Sequence, residues 1–194
     1  MQKRKIILAS HSPRRRELLA LTGYDYTCET ADVDEAAIAR AEHLTGEALC
    51  LRLAEAKAAA VFAKHPDCAV IGSDTVVMLD DTVYGKPRDA EAAREMLRTL
   101  AGRTHQVHTS VCLLTPESKD CFLDTCDVTF HPLNAALEQV IEDYIASGSP
   151  FDKAGGYGIQ DRGALLVKGI RGDYYTVMGF PVSRCFQLLN ERLG

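Results

Sequence analysis

The strongest constraint on the fold is a short apolar run that passes directly into a helix start. Ile6, Ile7 and Leu8 read as a buried first strand. Ser12 then stands where an N-cap belongs, and Pro13 stands at the first helical position, where its missing N–H costs nothing. Leu18, Leu19 and Leu21 give the helix an apolar face. A strand that runs straight into a helix N-terminus leaves backbone N–H groups aimed at one spot, and that spot favours an anion. Ser10 and Ser12 add hydroxyls there, and Arg14, Arg15 and Arg16 add three positive charges in the first turn. Their sign is wrong for the helix macrodipole, which prefers acids at this end. Either they are solvated surface charges, or one or two face a polyphosphate that offsets the clash. The stretch is not a P-loop, because G-x-x-x-x-G-K-[ST] is absent.

Strand-like and helical stretches alternate along the rest of the chain. Gly23 suits a C-cap, and Tyr26 to Thr30 reads as a short strand. Residues 31 to 44 are polar and acidic, a loop or a short helix. Thr45 caps a long helix over roughly 46 to 64, ended by Pro66. Cys68 to Leu79 is a buried strand. Asp80 and Asp81 turn it back through Thr82 to Tyr84, as in a hairpin. Asp89 caps a helix with Ala93, Met96, Leu97 and Leu100 on one face, closed by Gly102. Strands follow at His105 to Leu114 and Cys121 to Phe130. Asn134 then caps a helix to about Ser147. Residues 148 to 158 form a glycine-rich loop. Ala164 to Ile170 is expected as a strand and Tyr174 to Met178 as extended chain, before a terminal helix from Pro181 to about Leu193. This alternation predicts an α/β protein whose hairpins make the sheet mixed.

A chain of 194 residues, 46% hydrophobic and 25% charged, has enough apolar material for one sizeable domain, with room for two lobes. A formal net charge of -5 argues against a general nucleic-acid binder, whose footprint is basic. The apolar run after the basic start is too short for a signal sequence, and no run approaches the roughly 18 residues of a membrane span. Seven cysteines, an odd count without C-x-x-C, do not read as a disulfide framework. Most are expected as small buried residues in a reducing cytoplasm.

Asp74 stands out chemically, since it lies inside the apolar run from Val70 to Val77. Acids are rarely buried there unless paired or metal-bound. It is either a strand-end aspartate with satisfied hydrogen bonds, or a metal ligand or general base. Gly72 beside it permits close approach to the backbone. Lys86 is restricted between Gly85 and Pro87 and suits a phosphate, or is a plain turn lysine. Lys57, among alanines on the long helix, either snorkels or reaches into a cleft. Arg52, Glu55 and Lys64 on that helix read as solvated. Glu35 is the candidate acid of the segment after the second strand, in competition with Glu29, Asp32 and Asp34. Gln160 follows the glycine-rich loop, as a loop residue or as an amide that reads a base edge. His105 and His108 read as structural.

The pattern S-x-S-P-R-R-x-E-L-L directly after a first strand resembles the opening motif of the Maf nucleoside triphosphate pyrophosphatases. The chain also carries R-L-A-x-x-K-A (52 to 58), G-S-D-T (72 to 75), G-K-P (85 to 87), G-R-T-H-Q-V-x-T (102 to 109) and D-K-A-G-G-Y-G-I-Q (152 to 160), in the order seen in that family. The match covers nearly the whole chain. Thr75 after the aspartate, together with the glycine-rich block, is similar to the branch that acts on dTTP and UTP rather than the one that acts on 7-methyl-GTP.

The resemblance implies a single domain over residues 1 to 194, with a long mixed sheet and helices in two lobes around a central cleft. It implies hydrolysis between the α and β phosphates, giving a nucleoside monophosphate and pyrophosphate. Asp74 would be the catalytic base, and Glu35 and Asp74 would hold a divalent ion, Mg²⁺ or Mn²⁺. Ser10, Arg14, Arg15, Lys57 and Lys86 would bind the triphosphate, and Thr75 and Gln160 would lie toward the base. Further expectations are a cytoplasmic location, a homodimer, and no nucleic-acid or membrane partner. The alternatives are a 7-methyl-GTP pyrophosphatase of the same family and a non-catalytic nucleotide-binding regulator of septum formation.

Overall fold

The computed structural model describes residues 4–194; the first three residues of the basic start lie outside them. The elements in order are β1 (Ile6–Ala9), α1 (Pro13–Ala20), β2 (Tyr26–Glu29), α2 (Glu35–Glu42), α3 (Gly46–Phe62), β3 (Ala69–Leu79), β4 (Thr82–Tyr84) and α4 (Ala90–Leu100). They continue with β5 (Thr104–Leu114), β6 (Lys119–Phe130), α5 (Ala135–Ala146), β7 (Val167–Arg171), α6 (Tyr174–Met178) and α7 (Val182–Leu193). The strands form one mixed seven-stranded sheet in the order β2-β1-β3-β5-β6-β7, with β4 paired to β3 off this path. β1 runs parallel to both β2 and β3, with Ile6 opposite Tyr26 and Ala69. β4 and β7 are antiparallel to β3 and β6. The expected α/β class and mixed sheet are therefore present.

The described residues fall into two compact units. The first comprises the chain up to Asp74, Thr109–Asp124 and Gly179–Gly194. Within it Ile7, Ala9, Val70 and Cys112 from the strands pack on Ala54, Ala58 and Val61 of α3. The small side chains of α3 let the helix lie close to the sheet. The second unit comprises Thr75–His108 and Thr125–Met178. Its core joins Leu97 and Leu100 of α4, Ile141 and Tyr144 of α5, and Val107, Val128 and Phe130 of the strands. Among the described residues no helix is long and apolar enough to cross a membrane.

Most expected boundaries hold within a residue or two, and the β3–β4 hairpin turns at Asp80 with positive φ, a conformation aspartate tolerates. The polar segment resolves to a short helix, α2. Two expectations fail for one reason. Tyr174 to Met178 is helical rather than extended, because the Asp173 carboxylate accepts from the Tyr175 N–H and the Thr176 hydroxyl and closes the turn. The strand expected from Ala164 begins only at Val167, because Asp161 accepts from the Gly163 N–H and winds Arg162–Leu166 into a 3₁₀ turn. The cysteine expectation also needs correction. Cys112 and Cys121 lie side by side on β5 and β6 and are joined by a disulfide, a pairing that depends on strand register and not on spacing. Cys50, Cys126 and Cys185 are buried free thiols as expected.

His105 is structural, as its sequence context indicated. It is buried on β5, edge-on to Phe130 and Tyr157 and hydrogen-bonded through Nε2 to the Tyr157 hydroxyl at 2.7 Å. Its Nδ1 has no partner among the described residues. Burial lowers its pKa from 6.5 to about 4. A base whose folded pKa is depressed is neutral in the native state while the unfolded chain already binds the proton. Stability is therefore complete above pH 6.5 and is lost as pH falls toward 4. The span corresponds to a loss of up to about 3 kcal/mol. Urea melts of wild type and His105→Gln at pH 7 and pH 4.5 test this. The variant is expected to lose less stability on acidification, and an equal loss would contradict the assignment.

Candidate active site

Gly72 explains how the first unit brings an acid and a lysine together. A β-carbon at this position would lie 2.1 Å from the Ala54 carbonyl oxygen and 2.7 Å from the Ala58 nitrogen. Only glycine lets α3 approach β3 this closely. Side chains two apart on a strand share a face, so Asp74 projects toward the same helix. Lys57, on α3 between Ala54 and Ala58 in sequence, meets it there.

Lys57 Nζ lies 2.6 Å from Asp74 Oδ1 and 2.7 Å from Glu35 Oε1. Asp74 and Lys57 are largely buried, and the Glu35 side chain is 52% exposed. Glu35 is the first residue of α2, whose N-cap Asp34 accepts from the Ala37 N–H at 2.8 Å. A carboxylate in this first turn is favoured by the helix dipole. Burial raises the Asp74 carboxyl above the ordinary aspartate value. Lys57 and Arg15 act against that rise, and the nearby Glu35 charge adds to it. Beneath the site, the Cys50 thiol donates to the Asp74 carbonyl oxygen, and burial pushes that thiol up to about 12, so it stays protonated and inert.

The junction between β1 and α1 has the predicted capping. Ser12 Oγ accepts from the Arg15 N–H, and Ser10 Oγ accepts from the Ser12 N–H at 3.1 Å. Each hydroxyl keeps its own proton to donate to an anion. Arg14 and Arg15 are half-buried and Arg16 is exposed, which separates the three arginines in a way the sequence did not. Arg15 Nε donates to the Gly179 carbonyl at 3.0 Å, and its charge reaches Asp74. Burial lowers the Arg15 pKa, with Asp74 opposing. Arg52, Glu55 and Lys64 form exposed ion pairs with Glu42, Lys119 and Glu29, as their solvated reading implied.

The remaining sequence candidates belong to the second unit. Thr75 follows Asp74 on β3 and is half-buried. Lys86 is exposed in the Gly85–Pro87 turn, and that turn is tied to the glycine-rich loop by the Gly155 N–H, which donates to the Gly85 carbonyl. Gly155 and Gly156 both have φ of +70°, and a β-carbon on Gly155 would lie 2.9 Å from Val77. Gln160 is exposed in the turn after this loop. Thus Arg15, Glu35, Lys57 and Asp74 share one electrostatic neighbourhood, Ser10 caps the adjoining β1–α1 junction, and Lys86 and Gln160 are held by a common loop system. Sequence reasoning missed the polar groups under that loop, buried Tyr144 and Lys153 and half-buried Asp161. Asp152–Lys153 opens a recognised block, but nothing in the helical pattern marks Tyr144 as more than a core aromatic.

The model of the Maf-like protein family matches residues 5–192. The chain belongs to the Maf family. Two Maf relatives are similar over 188 residues each. A protein of Bacillus velezensis named dTTP/UTP pyrophosphatase is 47% identical, over 97% of this chain and 96% of its own. One of the same name from Bacillus cytotoxicus is 42% identical, over 97% and 95%. A solved nucleoside-triphosphatase / dITP/XTP pyrophosphatase of Mycobacterium abscessus aligns with a TM-score of 0.48 and 14% identity over 98% of each chain.

The close approach at Gly72 yields a direct test within this Maf chain. Gly72→Ala must push α3 off β3, with an overpacking cost of about 1–3 kcal/mol. The urea midpoint is expected to fall by the corresponding amount. An unchanged midpoint would show that α3 is not held by this contact.

Proposed function

We propose that the protein hydrolyses dTTP and UTP to the nucleoside monophosphate and pyrophosphate. The observation that carries this reading is a buried aspartate whose carboxylate is held on a lysine that also holds a second acid. The two Bacillus relatives, named dTTP/UTP pyrophosphatases, supply the substrate class. A water molecule attacks the α-phosphorus, its proton passes to Asp74, and the bond from the α-phosphorus to the bridging oxygen of the β-phosphate breaks. A carboxylate whose pKa is raised by burial is a better acceptor for that proton than an ordinary aspartate. Ser10, Arg14, Arg15 and Lys86 bind the triphosphate and offset charge on the departing pyrophosphate.

The donor set also fits a divalent cation. Glu35 and Asp74 present carboxylate oxygens to one shared point, now the Lys57 ammonium. Among the described residues no group of three His, Cys, Asp or Glu side chains is placed to hold a metal. Two acids nevertheless suffice for Mg²⁺, which takes one or two carboxylates and completes its shell with water and substrate phosphates. Such an ion would neutralise phosphate charge when bound. Lys57 is then the internal counter-ion of the two acids, and its contact with substrate is a further role within the same proposal.

Phosphate contacts are blind to the base, so selection rests on Thr75 and Gln160. The Gln160 amide offers both a donor and an acceptor, which matches the O4 and N3–H edge of uracil or thymine. A site built on such pairing discriminates strongly, because the wrong base leaves polar groups unpaired. Pyrophosphate release across dTTP, UTP, CTP, GTP and 7-methyl-GTP, with and without Mg²⁺, tests this. kcat/KM is expected to be highest for dTTP and UTP, by about tenfold or more over purine nucleotides, and turnover is expected to need the cation. Fastest turnover of 7-methyl-GTP would overturn the branch, full turnover in excess EDTA would overturn the metal, and no release from any nucleotide would leave the non-catalytic reading.

A further inference from the structure

We propose that Tyr144 is a positioning residue for base selection, acting through Asp161 on the turn that carries Gln160; this rests on the base-reading role given to Gln160 above. The Tyr144 side chain is wholly buried on α5. Its hydroxyl accepts from the Gly158 N–H at 3.0 Å and donates to Asp161 at 3.0 Å to Oδ1 and 3.1 Å to Oδ2. Gly158 and Asp161 flank Ile159 and Gln160. One oxygen, fixed in the core, therefore pins both ends of the turn whose exposed member is Gln160.

The anchor is itself braced. Asp161 also accepts from the Ser149 hydroxyl at 2.8 Å and the Gly163 N–H at 2.8 Å, and lies 3.4 Å from the Lys153 ammonium. Buried Lys153 donates to the Ser149 carbonyl at 2.6 Å and to Asp152 at 2.7 Å. The packing leaves no slack, since a β-carbon on Gly158 would lie 2.8 Å from Lys153 Cε and one on Gly163 would lie 2.6 Å from the Gly158 carbonyl. None of these groups is needed to hold a phosphate or an attacking water. A hydrogen-bond network anchored on the buried Tyr144 hydroxyl and the buried Lys153 ammonium, with Asp161 half-buried between them, fixes one geometry, and a base-reading amide requires it, because a misplacement of about an ångström removes discrimination.

The test is a double-mutant cycle of Tyr144→Phe and Gln160→Ala, read as the ratio of kcat/KM for dTTP over GTP. The folded fraction cancels in that ratio, so a loss of stability alone does not move it. Each single variant is expected to lower the ratio by about fivefold or more, the size of one lost hydrogen bond, and the double variant to fall no further than Gln160→Ala. A changed ratio in Gln160→Ala with an unchanged one in Tyr144→Phe would overturn the positioning role. So would losses that multiply. An unchanged ratio in Gln160→Ala would instead remove the base-reading role on which the proposal rests. If Tyr144→Phe does not fold, Asp161→Asn carries the same expectations.

Discussion

The Lys57 ammonium between Asp74 and Glu35 is the interaction on which the first unit's chemistry depends. Two acids facing one another repel, and a buried one tends to take up a proton. A lysine in hydrogen-bond contact with both keeps the pair compatible with the fold. Its reach depends on α3 lying against β3, and that depends on the absence of a side chain at Gly72 together with the small Ala54 and Ala58. A packing detail in the core thus sets the electrostatics of the site. Removing the lysine leaves uncompensated buried charge, a more serious loss than breaking an exposed pair.

The second unit solves a different problem, which is to hold a loop with several left-handed residues in one conformation. Backbone geometry of that kind is permitted by glycine but not enforced by it. Enforcement comes from polar side chains: buried Tyr144 from α5, buried Lys153 from the loop itself, and half-buried Asp161 just after it. The same loop donates from Gly155 to the turn that carries Lys86. The groups assigned to phosphate and to base in this unit thereby share one scaffold.

Much of this was legible in the sequence. Apolar runs, capping residues and prolines located the strands and most helices, because those signals act over a few neighbouring residues. The segments that went wrong, 164 to 166 and 174 to 178, are ones where an aspartate side chain closes a turn, and a carboxylate's choice of partner depends on the local backbone path. The Cys112–Cys121 bond was not legible, because it follows from strand pairing. Candidate residues were legible where unusual chemistry stood out against its surroundings, as with Asp74 in an apolar strand, which the structure places on Lys57. Glu35 was not separable from Glu29, Asp32 and Asp34 by composition; the structure separates them by placing Glu35 on Lys57 and Glu29 on Lys64 and His65. Tyr144 carried no signal at all, since its function lies in a hydroxyl that the helical pattern does not report.

The central claim is that Lys57 acts on catalysis through Asp74. A kinetic cycle of Lys57→Met and Asp74→Asn on dTTP hydrolysis tests it most directly. Because the two groups form one unit, each single variant is predicted to lower kcat/KM by at least about tenfold, and the double variant to match Asp74→Asn within about threefold. Losses that multiply in the double variant would contradict the coupling of Lys57 to Asp74 and leave Lys57 only its separate contact with substrate.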